Sequence, residues 1–183
     1  MPTMRSDAAR SRTRILEAAR GRPSGQIRFN ELARETGLGV GTIYRHFATV
    51  TSLIEALNID ALEQLAAVAR RASEAPSPGT EFIRLVRKSA ELLFIRDGLK
   101  ELLLAEDVST EVLALREDFH GAASVALDAA IRERLIRADV SVEHIQKLAC
   151  GVEYAARLGD PAEHSLLLDV MISGLRPSDT STR

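Results

Sequence analysis

The sequence predicts an all-α protein, with an N-terminal three-helix head that contains a helix-turn-helix and a larger helical body. Leucine, alanine and arginine dominate the composition, which favours helix. Runs of alternating β-branched residues, which are typical of strands, are absent. Hydrophobic residues make up 45% of the 183 residues, enough to build a packed core.

Helices of the head follow from apolar spacing and from capping residues. We expect residues 1–9 to be polar and mobile, and residues 21–25 to form a loop. The first helix of this part is predicted near 8–20, with Ile15, Leu16 and Ala19 facing inward. Two short helices are predicted at about 30–36 and at about 40–46, and the fourth helix should run from the cap Thr49 to about 72.

Proline, glycine and serine divide the body into further helices. A break at residues 75–79 ends the long fourth helix. The next helix is expected to begin near Thr80 and to end at Asp97 and Gly98, and a short helix should follow over 99–105. A long helix should then begin with Ser109 or Thr110 as its cap and continue through Leu135. The last two helices are expected from the cap Ser141 to Leu158, and over about 161–174.

The end of the body carries the clearest boundary signals. Gly159 is predicted as a C-cap, Asp160 as an N-cap and Pro161 as the first residue of the last helix. The preceding helix has an apolar stripe that we expect to face inward, formed by Ile145, Leu148, Val152 and Ala155.

Residues 29–47 predict two short helices joined by a turn. Asn30 is predicted as the N-cap of the first, because its side-chain oxygen can accept from free amides. Gly37 can adopt the left-handed conformation that ends this helix, and Gly39 caps the next. Ile43 and Phe47 share one face and should pin the second helix to the core.

The second helix of this pair carries side chains suited to DNA. Val40, Gly41 and Thr42 are small enough to let the backbone approach base edges, and Thr42 offers a hydroxyl and a methyl group. A second set, formed by Tyr44, Arg45 and His46, can donate to phosphate oxygens. This pattern indicates a helix that enters the major groove, whereas the alternative is a helical hairpin with a solvated polar face.

The charge distribution supports the first interpretation. The net charge of −2 alone argues against nucleic acid. Residues 1–50, however, contain nine arginines and four acidic residues, a balance of +5, and the remaining 133 residues have a balance of −7. Arg5, Arg10 and Arg12 form either an arm that touches DNA or part of a disordered tail.

Three segments resemble the TetR family of bacterial transcriptional regulators. They are residues 14–19 (Arg-Ile-Leu-Glu-Ala-Ala), residues 29–47, and residues 53–57 (Leu-Ile-Glu-Ala-Leu). The resemblance implies that Thr42, Tyr44 and His46 touch DNA, and that Asn30 replaces a threonine that caps the helix and bonds a phosphate. Thr49, at the start of the fourth helix, belongs to the same expected contact surface. The family's usual lysine is replaced by Val50, which puts one phosphate contact in question.

The resemblance also implies a homodimer and an effector. The last two helices, rich in apolar residues such as Leu166 and Leu168, would pair with those of a second copy. The body would hold a small-molecule pocket whose predicted contacts are Leu93, Phe94, Leu103, Leu104, Phe119 and His120. We therefore expect a ligand-released repressor on a palindromic operator, with a DNA-binding domain over 8–67 and a ligand-binding and dimerisation domain over 68–177. The alternative is a helical ligand-binding or interaction dimer with weakened DNA binding.

The sequence does not indicate a metal site, a phosphate-binding loop or a catalytic nucleophile. The histidines show no metal-ligand spacing, and no phosphate loop or nucleophile elbow is present, so we expect neither an enzyme nor a cofactor. The single cysteine, Cys150, suits a reducing compartment, and no apolar stretch is long enough for a membrane helix. These features predict a soluble cytoplasmic protein.

Overall fold

The computed structural model describes residues 4–160 and 162–177, and within them every regular element is a helix. The predicted all-α class is therefore confirmed. The elements are α1 (Met4–Ala19), a 3-10 helix (Ser24–Gln26), α2 (Phe29–Thr36), α3 (Val40–His46), α4 (Val50–Glu74), α5 (Pro78–Ile95), α6 (Leu99–Leu104), α7 (Thr110–Arg132), α8 (Val142–Leu158) and α9 (Glu163–Gly174). None of these helices combines the length and apolar character that a membrane crossing requires.

The described residues form two compact units. The first contains the residues up to Asp60 together with the segment Asp97–Val112, and the second contains Ala61–Arg96 and the residues from Leu113 on. The expected domain boundary between residues 67 and 68 stays a prediction.

In the first unit, α2 packs against both α1 and α3. The core of this unit is formed by aliphatic side chains with no exposed surface, namely Ile15, Leu32, Ile43 and Leu53. Burying one such side chain stabilises a fold by about 1.5–3 kcal/mol. Of the three residues predicted to face inward on α1, Ile15 and Ala19 are buried and Leu16 is half-buried.

The segment Asp97–Val112 is anchored to the rest of the first unit by hydrogen bonds. Asn58 Nδ2 donates to the carbonyl oxygen of Asp97 at 3.0 Å, and the Ser24 hydroxyl donates to Glu101 at 3.0 Å. The backbone N–H of Ser109 donates to Glu55 Oε1 at 2.8 Å. These contacts join residues that are far apart in sequence.

In the second unit, α5 packs against α8 and α9, and α8 packs against α9. Ser141 caps α8 as predicted, and His144 completes a capping box by accepting from the Ser141 N–H. The predicted inward stripe of α8 is wrong for most of its members. Ile145 is buried, but Val152 is half-buried, Ala155 is exposed and Leu148 is 49% exposed.

The reason for this error is that α8 has two apolar faces. The face that meets the neighbouring helices contains Val142, Ile145, Ala149 and Ala156. Leu148, Val152 and Ala155 lie on the other. Helical periodicity alone cannot decide which of two apolar stripes is covered within the chain.

Several predicted helix bounds also need correction. Helix α1 begins at Met4 rather than near residue 8, so residues 4–9 are helical. Helix α5 begins at Pro78, with Ser77 as N-cap, because proline is well accommodated in the first helical turn. Helix α7 ends at Arg132 and not beyond Leu135, because Arg134 adopts a left-handed conformation with φ of 56°.

The last helix also differs from its prediction. It begins at Glu163, with Ala162 as N-cap. Asp160 does not cap the helix. Its carboxylate accepts from the Ala162 N–H at 2.9 Å in the preceding turn. The predicted roles of Pro161 and of the Arg5 side chain lie outside the described residues.

Candidate nucleic-acid interface

The turn between α2 and α3 forms as the sequence predicts. Gly37 ends α2 in the left-handed region with φ of 64°, and the N–H of Leu38 donates to the Ala33 carbonyl at 3.1 Å. Gly39 is the N-cap of α3, where its carbonyl accepts from Thr42 at 2.8 Å and from Ile43 at 3.3 Å. This geometry fixes where α3 starts.

Helix α3 is held to the core by one face. Ile43 and Phe47 are buried, which confirms the predicted anchor pair. The Arg12 guanidinium lies 5.2 Å above the centre of the Phe47 ring, a cation–π contact from α1. The Phe29 ring, also buried, forms a T-shaped pair with the Tyr44 ring at a centroid distance of 5.1 Å.

The opposite face of α3 is open. Val40 is 37% exposed, Tyr44 is 56% exposed, and Arg45 is exposed, whereas Thr42 and His46 are half-buried. An Arg45 guanidinium nitrogen donates to Thr42 Oγ1 at 2.9 Å, so these two polar groups are placed together.

Gly41 lies on this open face without any packing requirement for glycine. A Cβ atom added there would meet nothing within 4 Å. Glycine inside a helix is less stable than alanine by about 0.5–1 kcal/mol, so the fold gains nothing from it. Gly121 and Gly151 are open in the same way, so the space beside Gly41 is a feature that a contact with an external molecule could use.

The start of α4 borders the same region. Thr49 caps α4 as predicted, because its Oγ1 accepts from the Ser52 N–H at 3.0 Å while the Ser52 hydroxyl accepts from the Thr49 N–H at 3.2 Å. With its hydroxyl used in this way, Thr49 supports the helix end beside the open face of α3.

The predicted N-cap at Asn30 is wrong. Helix α2 begins at Phe29 and its N-cap is Arg28, which has extended backbone and makes no side-chain cap. The buried Phe29 ring is packed as part of the helix, which places Asn30 one residue inside it. Asn30 is exposed there, so its expected phosphate contact stays a prediction from a different helical position.

Ion pairing distinguishes the arginines of this unit. Arg22 contacts the carboxylates of both Glu31 and Glu35. Within the described residues of this unit, the arginines without an ion pair are Arg12, Arg14, Arg20, Arg28, Arg34 and Arg45. Their charges are therefore available to an external anion.

The predicted effector residues are divided between the two units. Leu103 and Leu104 belong to the first unit, where Leu103 is buried and Leu104 is exposed. The other four belong to the second unit, with Leu93 and Phe119 buried and Phe94 and His120 half-buried.

Two of these residues have well-defined partners in the second unit. His120 Nε2 lies 2.8 Å from Gln146 Oε1, and the Phe94 ring stacks on the His164 ring at 4.2 Å. Arg157 pairs with the buried Glu153 and donates to the Phe94 carbonyl at 3.1 Å. The sequence reasoning missed His164, which shows no spacing signal.

The fold and the open face of α3 define a helix-turn-helix regulator of transcription. A family model described as the C-terminal domain of SbtR-like transcriptional regulators matches residues 77–177. This match covers more than half of the chain, and the chain therefore belongs to the TetR family of transcriptional regulators. No curated protein matches the sequence.

Solved structures with this fold include several bacterial regulators. A TetR transcriptional regulator from Streptomyces coelicolor is 25% identical, with 91% of this chain and 99% of that chain covered and a TM-score of 0.53. AmtR of Mycobacterium smegmatis is 18% identical, with coverage of 94% and 86% and a TM-score of 0.60. NalD, the secondary repressor of the MexAB-OprM multidrug efflux pump in Pseudomonas aeruginosa, is 21% identical, with coverage of 94% and 98% and a TM-score of 0.55.

Proposed function

We propose that this regulator binds a palindromic DNA operator as a homodimer, represses transcription from it in the cytoplasm, and leaves it when a small molecule binds. The observation that carries the proposal is the open face of α3, which bears hydrogen-bonding side chains on a helix anchored by Ile43 and Phe47. Such a helix can enter the major groove while its buried face stays fixed.

The residues of this face divide by the contact they suit. Thr42, with its methyl group and hydroxyl, suits a base edge. Tyr44, Arg45 and His46 suit phosphate oxygens, which fix position without reading sequence. Val40 and Gly41 add little bulk, so that the backbone can come close to the bases.

Binding assays on DNA selected from a random pool test this division. With about four phosphate contacts in each half of the operator, the logarithm of the affinity should fall with log salt at a slope near −7. Tyr44→Phe and His46→Ala should weaken binding on all sequences by similar factors, whereas Thr42→Ala should mainly reduce the preference for the selected site. Equal losses on every operator variant for all three would contradict the assignment.

An apolar surface on α8 and α9 supports the dimer. Leu148, Val152 and Ala155 form one side of an open groove, and Leu167 contributes from α9. A Cβ atom added at Gly151, in the same groove, would meet nothing within 4 Å. Val170 on α9 is 62% exposed. We propose that the same surface of a second copy covers these residues.

Matched substitutions test the dimer surface. Val170→Glu should lower the dimer fraction, because a two-fold interface would bring two buried carboxylates together. Val125→Glu on α7 is the control, since Val125 is similarly exposed at 54%. Sedimentation analysis should show a dimer for the wild type and for Val125→Glu, and a monomer for Val170→Glu. A monomeric wild type would contradict the proposal.

A buried polar atom beside a predicted ligand contact supports an effector site in the second unit. Ser89 Oγ and His164 Nε2 have no hydrogen-bond partner within the described residues, although buried polar atoms are normally satisfied. His164 stacks on Phe94, one of the predicted ligand contacts. We propose that an effector bound beside Phe94 satisfies His164 Nε2.

A screen of small molecules for thermal stabilisation and operator release tests this site. Compounds that act through it should lose both effects in His164→Phe, which keeps the aromatic stacking but removes the ring nitrogen. Full retention of both effects would place the effector elsewhere.

A further inference from the structure

A concave surface of about 390 Å³ lies where α2 begins and where α3 gives way to α4. Arg28 and Asn30 line it from the start of α2, Tyr44 from α3, and Thr49 and Val50 from the start of α4. We call this surface the α2–α4 basin. It adjoins the open face of α3 through Tyr44, which belongs to both.

The chemistry of the α2–α4 basin suits an anion. No lining residue carries a carboxylate, and Arg28 is the one cation among them. Val50 supplies no charge at the start of α4, where a basic residue would face the same basin. The Tyr44 hydroxyl adds a hydrogen-bond donor on an exposed ring.

The Arg28 guanidinium is held in place without being neutralised. One terminal nitrogen, Nη1, donates to the carbonyl oxygens of Gly25 and Ile27, both at 2.9 Å. The other guanidinium N–H groups have no partner within the described residues. Arg22, by contrast, is neutralised by Glu31 and Glu35. A guanidinium oriented in advance loses less conformational freedom when it binds phosphate.

We infer that Arg28 binds a backbone phosphate of DNA seated in the α2–α4 basin, and so provides the cation that Val50 does not. This inference rests on the proposed DNA binding. It assigns this phosphate contact to the residue directly before α2. The phosphate contact expected from the sequence at this helix was Asn30, and the apolar pattern did not indicate Arg28.

Removing and relocating the charge tests the inference. In a homodimer, Arg28→Gln removes two phosphate contacts, so the slope of log affinity against log salt should become shallower by about 1.8. With 1 M salt as reference, that slope corresponds to an affinity about 30-fold lower at 0.15 M salt. Arg28→Lys, which keeps the charge, should retain most of the slope.

A second-site substitution makes the test specific. Val50→Lys in the Arg28→Gln background places a cation at another edge of the same basin and should restore the slope. Arg22→Gln is the control, because it changes the net charge equally but removes an arginine that two glutamates already neutralise. Circular dichroism and thermal unfolding establish that each variant is folded.

The outcomes separate this inference from the proposed function. If the wild type binds no selected duplex, DNA binding and the Arg28 contact both fail. If the wild type binds but the Arg28→Gln slope is unchanged, or if Arg22→Gln changes it equally, only the Arg28 contact is refuted. Loss in Arg28→Gln together with rescue by Val50→Lys supports it.

Discussion

Replacing Asn58 by aspartate tests the link between α4 and the segment Asp97–Val112. Asn58 is 2% exposed, and its Nδ2 donates to the carbonyl oxygens of Asp97 at 3.0 Å and Ile54 at 3.1 Å. Aspartate has nearly the same shape, but it places a carboxyl oxygen opposite these two carbonyl oxygens. The cost should therefore depend on whether the introduced carboxyl is protonated.

The size of the effect follows from the two charge states. A protonated carboxyl can still donate one hydrogen bond, so the variant should lose about 1 kcal/mol of unfolding free energy. An ionised carboxyl would be buried without a cation and should cost about 3 kcal/mol. The difference corresponds to a rise of about 1.5 units in the pKa of the introduced carboxyl, from about 3.9 to about 5.4.

The sign of the pH dependence is then fixed. Because the pKa is higher in the folded state, the unfolded chain releases its proton first as pH rises. The deficit should grow by about 1 kcal/mol between pH 4.5 and pH 7 and then level off. Below the unfolded pKa, only the hydrogen-bond loss should remain.

Urea unfolding at fixed protein concentration across this pH range measures the deficit relative to the wild type at each pH. Asn58→Leu is the control, since it removes both hydrogen bonds without adding a charge, and its deficit should not vary with pH. An Asn58→Asp deficit that is constant with pH would refute the reasoning, because it would mean that the site is not buried against acceptors.

Two further predictions concern the helix-turn-helix. Gly37→Ala should lower the unfolding free energy by about 1 kcal/mol, because alanine is strained in the left-handed region, while Gly41→Ala should not lower it, because Gly41 is helical and an added Cβ atom meets nothing within 4 Å. Thermal unfolding of both compares them, and equal effects would contradict the backbone argument. Ile43→Ala should cost about 2–5 kcal/mol and also weaken operator binding, because it removes an anchor of α3. Full affinity in a folded Ile43→Ala protein would show that the anchor does not position the helix.

The sequence predicted those parts of the head that depend on local signals. Gly37 and the pair Ile43 and Phe47 lie within one short stretch, and turn chemistry and helical periodicity were enough to place them. Asn30 was misplaced as a cap because an asparagine can also lie in the first turn of a helix, and α2 already includes the buried Phe29 before it. The N-cap of α2 therefore lies at Arg28, two residues before the predicted position.

Contacts over long sequence distances could not be predicted. Nothing near Asn58 in the sequence indicates that its amide bonds to Asp97. Likewise, the apolar residues of α8 gave the right periodicity but the wrong face, because Leu148 and Ile145 are equally apolar. Only the packing of α5 and α9 decides which face is covered within the chain.

The central claim, that the open face of α3 lies against DNA, is tested most directly by filling the space at Gly41. Both Gly41 and Gly121 on α7 are helical and have nothing within 4 Å of an added Cβ, so leucine at either should leave the fold intact and slightly stabilise it. We predict that Gly41→Leu lowers operator affinity at least about tenfold, or about 1.4 kcal/mol, while Gly121→Leu binds like the wild type. Operator binding by Gly41→Leu at full affinity would contradict the account.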